Sequence, residues 1–90
     1  MVTGIVLINV ERAMIGDAIS GLMKIAGVTE VYTVAGEYDL VAMIRVKNNV
    51  ELSDIIANRM THDIHGIVHT KTLVTLTAYS KVDLEKVFLG

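Results

Sequence analysis

No cysteine occurs among the 90 residues, so disulfides and thiolate metal sites are excluded. Aromatic residues are nearly missing as well, with only Tyr32, Tyr38, Tyr79 and Phe88 present. That rules out a sheet surface that stacks RNA bases, which needs clustered aromatics. Positive charge is sparse: eight Lys and Arg against ten Asp and Glu give a net charge of −2, and the cations are scattered singly. A nucleic-acid face concentrates cations to replace phosphate counterions, so direct nucleic-acid binding is not expected. No uninterrupted apolar run approaches the ~18 residues of a membrane span. The start, Met1-Val2-Thr3-Gly4, lacks the basic segment of a signal peptide and leads straight into a strand pattern. The expected location is the cytoplasm.

Catalytic motifs are missing too. There is no glycine-rich phosphate loop, no G-x-S-x-G and no H-E-x-x-H. The ten carboxylates are dispersed, and none forms an evident acid/base couple with another. The expected protein is therefore not an enzyme and uses no cofactor. The enzymatic alternative is a small dimeric α+β-barrel enzyme with His62 or His65 as base, which no acid/base pair or cofactor motif supports.

What is present is apolar. Hydrophobic residues make up 52% of the chain and mean hydropathy is +0.54. Residues 1–90 suffice for one domain, and a body this small buries only about 60–70% of its unfolded surface when alone. The apolar excess points to burial against other copies, hence a homo-oligomer.

Gly4–Val10 is a nearly continuous β-branched run and reads as a buried strand. From Met14 to Ala26 the period becomes helical, with Ile15, Ala18, Ile19, Leu22, Met23 and Ala26 on one face and Gly27 as terminator. Gly16 and Gly21 inside this helix suggest close packing on the sheet. Val28–Ala35 and Leu40–Val46 are strands joined by Gly36–Asp39. Asn48 with Glu51 reads as a capping box opening a second helix, one face of which is marked by Leu52, Ile55, Ile56, Arg59 and Met60. Thr61–Gly66 reads as a loop, Val68–Tyr79 as a long strand, and residues 81–89 as a short helix capped by Ser80. Met14, Met23, Met43 and Met60 fall on packing faces. There are no internal repeats.

The order is βαββαβ plus a C-terminal helix, with its core in residues 1–79. This predicts an α+β, ferredoxin-like fold: an antiparallel four-stranded sheet with two helices on one face. In that topology the first and third strands are central, and here those two are the most apolar. Their side chains are apolar on both faces, although two helices cover only one. The uncovered face predicts a sheet-to-sheet dimer of the dimeric α+β barrel type. Acylphosphatases share this fold, but their glycine-rich anion loop with arginine has no counterpart here.

The candidate chemistry is concentrated in Gly36-Glu37-Tyr38-Asp39 and in the last strand. Taken alone, Gly36 and Asp39 are ordinary hairpin residues: Gly supplies positive φ and Asp satisfies backbone donors. The functional alternative gives Asp39 and nearby backbone groups a small zwitterion to bind, with Tyr38 as a wall. Thr70 and Thr72 read either as strand formers or as hydroxyls that bond a ligand carboxylate. His62, Asp63, His65 and His69 are the only metal-like group, and structural zinc sites usually bring four ligands, commonly with Cys. No metal is expected.

These residues together carry a family resemblance. Gly27-Val28, the Gly36-Glu37-Tyr38-Asp39-Leu40 turn, and His65-Gly66-Ile67-Val68 leading into Thr70-x-Thr72-Leu73-Val74 resemble the effector-binding (RAM) domain of the Lrp/AsnC regulators. The likeness spans residues 1 to about 79. That family joins this domain to an N-terminal helix-turn-helix, and this chain resembles the stand-alone form without one. The resemblance implies dimers built through sheets, dimers assembled into rings, and an amino-acid effector bound between neighbouring dimers. It also implies binding residues at Gly36, Tyr38, Asp39, Thr70 and Thr72. His65 stands where the family often has proline. The second functional alternative is an interaction protein that co-assembles with full-length Lrp/AsnC regulators and modulates transcription without a ligand of its own.

Overall fold

The computed structural model describes residues 1–81. Strand β1 (Val2–Val10) is followed by a 3-10 turn (Arg12–Met14), helix α1 (Ile15–Met23), and strands β2 (Val28–Thr33) and β3 (Leu40–Val46). Helix α2 (Asn49–Asp54) runs through a π turn (Ile55–Arg59) into α3 (Met60–Asp63), and β4 (Ile67–Val74) completes the sheet. The spatial order β2-β3-β1-β4 is antiparallel throughout, with β1 and β3 central as expected. The helix expected at about 81–89 falls outside the described residues.

Alternation along the central strands sorts their side chains. Val6, Ile8 and Val10 of β1, with Leu40, Ala42, Ile44 and Val46 of β3, are buried beneath the helices. They join Ala18, Leu22, Leu52, Ile55, Met60 and Ile64 in one core. Truncating a fully buried member such as Leu22 or Leu40 should cost about 2–5 kcal/mol. The opposite face carries Ile5 and Leu7 beside Met43 and Val41, with Leu73 next to Ile5. These apolar side chains are only partly covered, and no helix lies over them.

Four local expectations are corrected. Helix α1 stops at Met23 rather than near Ala26, because tight i→i+3 bonds from Lys24 and Ile25 turn Ile25 into the core before Gly27 (φ +100°). Gly21 does allow a close approach, but to Ile64 at the end of the second helical segment, not to the sheet. Residues 61–63 are helical rather than loop, held by the Arg59–Asp63 ion pair and by His62 Nδ1 against the Asn58 carbonyl. The last strand ends at Val74 rather than Tyr79, because little of its partner is left: Val74 faces Gly4, Thr75 N donates to the Thr3 carbonyl, and β1 begins at Val2.

The π turn explains why Arg59 fits poorly on the expected apolar face. Regular α spacing from Leu52 and Ile55 would aim Arg59 and Asp63 at the core. One widened turn advances the register, so Met60 and Ile64 are buried instead and Arg59 pairs with Asp63 in solvent. Half of the capping box is as read, the Asn48 side chain accepting from Glu51 N at 2.9 Å; the return bond is shifted by one residue, the Glu51 carboxylate accepting from Lys47 N rather than from Asn48 N.

Candidate functional site

Residues 34–39 connect β2 to β3, yet they do not stay over those strands. Gly36 adopts φ +129°, a region costly for any residue with a side chain, and lets the chain fold sideways across β1. Three hydrogen bonds fix the fold-over. Asp39 N donates to the Ile8 carbonyl at 2.9 Å, Val10 N donates to an Asp39 carboxylate oxygen at 2.9 Å, and Asn9 Nδ2 donates to the Glu37 carbonyl at 2.8 Å. Val34 N closes the loop on the Asp39 carbonyl. Asp39 thus extends the sheet at the end of β1, where β3 has no further residues to pair.

The displaced turn reaches the far edge strand. The rings of Tyr38 and His69 stack with centroids 6.4 Å apart and planes 19° from parallel. His69 lies opposite Asn9 in the register, on the face free of helices. Gly36, Tyr38 and Asp39 are therefore gathered with Asn9 and His69 at one corner of the molecule.

Thr70 and Thr72 are elsewhere. The register sets them beside Ile8 and Val6, on the helix-bearing side of β4. Neither α1 nor the second helical segment packs closely on β4, which leaves a trough between them. Thr70 lines a cleft of about 180 Å³ with Met60, Ile64 and His69. Thr72 lines an adjoining one of about 410 Å³ with Leu52, Ser53 and Ala57. Ile56 is common to both, and His69 borders the trough as well as stacking on Tyr38. Within one protomer, then, the five expected residues divide into a turn group at the end of β1 and a trough group on the helix-bearing side of β4, with His69 adjoining both.

Sequence reasoning missed Asn9 and gave His69 only to a metal-like cluster. Asn9 had a signal, being the one amide inside the apolar run GIVLINV. In the structure His62 is bonded within its own helix and His69 lies against Tyr38, so that cluster is divided. Among the described residues no group of three or more His, Asp or Glu is arranged to hold a metal. None of the described helices is long and apolar enough to cross a membrane.

A second polar group occupies the open face at β2. Arg45 binds both the Glu30 carboxylate and Thr29 Oγ1, and the Tyr32 hydroxyl donates to the other Glu30 oxygen. The Tyr32 hydrogen bond, followed by that of Arg45, holds the Glu30 carboxyl down at about 2 against an ordinary 4.5. Glu30 in turn raises the Tyr32 hydroxyl above its usual value. Each partner favours the ionised carboxylate over the neutral acid.

A four-stranded antiparallel sheet in βαββαβ order, with its helices on one face and the other face bare, defines an α+β domain of the ferredoxin-like class. The Lrp/AsnC ligand binding domain matches residues 3–83, and the chain belongs to that family. The HTH-type transcriptional regulator FL11 of Pyrococcus furiosus is 33% identical over 76 residues, covering 84% of this chain and 49% of FL11. This chain spans about half the length of the curated relatives it matches. TTHA0845 of Thermus thermophilus superposes with a TM-score of 0.83 at 33% identity, over 90% of this chain and all of that one. The feast or famine regulatory protein Rv3291c of M. tuberculosis, solved in complex with L-methionine, superposes at 0.73 with 26% identity. That match covers 92% of this chain and 56% of the relative.

Proposed function

We propose that this domain is a non-enzymatic sensor that binds a small amino acid between subunits of a homo-oligomer. The observation that carries the reading is the folding of the Gly36–Asp39 turn across β1 onto His69, which presents a phenol, an imidazole and backbone groups at an outer corner. An α-amino acid needs acceptors for its ammonium, donors for its carboxylate and a wall for its side chain. The L-methionine complex of Rv3291c supports this ligand class. In this reading the ligand takes the turn of one subunit and the Thr70–Thr72 trough of its neighbour. Such a ligand stabilises the assembly by mass action, since only the assembled state offers the complete site.

The bare face carrying Ile5, Leu7, Val41, Met43 and Leu73 supports a sheet-to-sheet dimer as the unit, with dimers then forming a ring. Thermal-shift and calorimetric screening of the twenty amino acids at millimolar concentration tests the function. Stabilisation and a larger particle with one of them is the expected result; no response to any overturns it.

The match to half of FL11 supports a second reading, in which this domain inserts into the oligomers of full-length Lrp/AsnC regulators. Mixed particles on co-expression with such a regulator, unaffected by amino acids, would favour that reading over the first.

A further inference from the structure

The cavity of about 590 Å³ at the other end of the sheet is as large as any opening described above, and no part of the proposed sensor site uses it. It lies where β3 passes into α2. Val46 and Ile55 form its buried floor, Val50 is an exposed apolar wall, and Lys47, Glu51 and Asp54 stand at the rim. The lining is mainly apolar with both charge signs around it. Such a site suits an amphipathic side chain: an apolar body below and a polar tip or ring face among charges.

The same end of the molecule carries a segment with that chemistry. Thr75 pins the chain to the start of β1, its N and Oγ1 donating to the Thr3 carbonyl at 3.0 and 3.1 Å. Beyond this point Leu76 is 96% exposed and Tyr79 is 91% exposed. Neither residue lies in the cavity of its own chain, although Val46 sits opposite Val2 in the sheet, close to where the arm departs. An exposed Leu and Tyr on one arm and an open apolar cavity at the same end form complementary halves of a contact. Two copies related by a two-fold axis satisfy both halves twice over, since an isologous interface repeats each contact.

We propose that residues 75–81 form an exchange arm, with Leu76 and Tyr79 docking into the Val46–Val50–Ile55 cavity of a second copy. In the docked arm Leu76 covers the apolar floor, and the Tyr79 ring lies against Lys47 with its hydroxyl toward the Glu51 and Asp54 carboxylates. This goes beyond the sensor reading and shares with it only the need for a second copy.

The absence of cysteine makes the test clean. Tyr79→Cys and Val50→Cys chains are prepared separately, mixed, and oxidised with copper phenanthroline. The expected product is a disulfide-linked mixed dimer, in clear excess over what either variant gives alone. In parallel, a Leu76→Ser/Tyr79→Ser chain, altered only at exposed positions, should fold normally by circular dichroism and associate at least ten-fold more weakly by analytical ultracentrifugation. Three results overturn the inference. The mixture yields no cross-link; or a chain carrying both Tyr79→Cys and Val50→Cys closes its disulfide internally; or the double-serine chain associates as tightly as the parent. The last leaves the sensor reading standing, whereas a parent chain that is monomeric at every concentration removes the assembly required by both.

Discussion

A carboxylate oxygen of Asp39 accepts the backbone N–H of Val10 at 2.9 Å, tying the β2–β3 turn to a strand 29 positions away in sequence. This bond gives Asp39 a structural duty beside its proposed ligand contact, and the two can be separated. Asp39→Ala leaves the Val10 donor without its partner and should cost about 1–3 kcal/mol by urea denaturation. It should also abolish the proposed amino-acid binding while leaving the proposed dimer intact. Asp39→Asn keeps an acceptor for Val10 and removes the charge, so stability should change by less than about 1 kcal/mol while binding is lost. Unchanged affinity in the Asn variant would return Asp39 to a purely structural role.

Tyr38 should separate differently. Tyr38→Ala removes the stack on His69, worth about 0.5–1.5 kcal/mol beyond area burial. Amino-acid binding measured by calorimetry should fall sharply, whereas Tyr38→Phe retains the ring and should retain most of the affinity. Full affinity in the Ala variant would remove Tyr38 from the site.

Gly36 has open space around it, so a methyl group there meets no atom within 4 Å. The penalty of Gly36→Ala is therefore one of backbone conformation at φ +129°, about 1–3 kcal/mol. A thermal melt indistinguishable from the parent's would mean that the turn relaxes to another shape.

The bare sheet face predicts a charge-sensitive interface. Leu7 sits at its centre between Val41 and Lys71. Leu7→Asp should leave the circular dichroism spectrum intact and convert the proposed sheet-to-sheet dimer to a monomer at micromolar concentration in light scattering. A dimer that survives this change must be built through another surface.

Acid should act through Glu30. Its carboxyl titrates near 2 in the folded chain and near 4.5 when unperturbed, as in an unfolded chain. Between these values protons bind the unfolded state preferentially, so this group's contribution is full above about 4.5 and is lost as pH falls toward 2. Melting temperature should decline over that window, and the decline should be smaller in Glu30→Gln. An identical pH profile in the Gln variant would assign the acid sensitivity to other carboxylates.

How far the sequence reached depended on the range of the interaction involved. The capping box at Asn48 and Glu51 was legible because both partners lie within one turn of helix. The central places of β1 and β3 were legible because strands flanked on both sides, and covered on one face by helices, leave few positions for polar groups. Arg59 was misassigned because a π turn changes the helical period, and nothing local in residues 55–59 announces it. The Glu30–Tyr32–Arg45 group was invisible, since it requires the register of β2 against β3, including a shift between Val28 and Glu30. Gly36, Tyr38 and Asp39 could be named from the turn pattern, but the stack on His69 and the bond to Val10 could not.

By itself the sequence determined the order of elements, the apolar excess and the residue types of the turn, because periodicity and turn preference act over a few residues. Only the tertiary structure decided where that turn points, where β4 ends, and that Thr70 and Thr72 lie across the sheet from Tyr38. Those outcomes depend on partners far along the chain. The Val10 N–H at the end of β1 holds Asp39, and β1, which begins at Val2, leaves β4 little to pair with beyond Thr75.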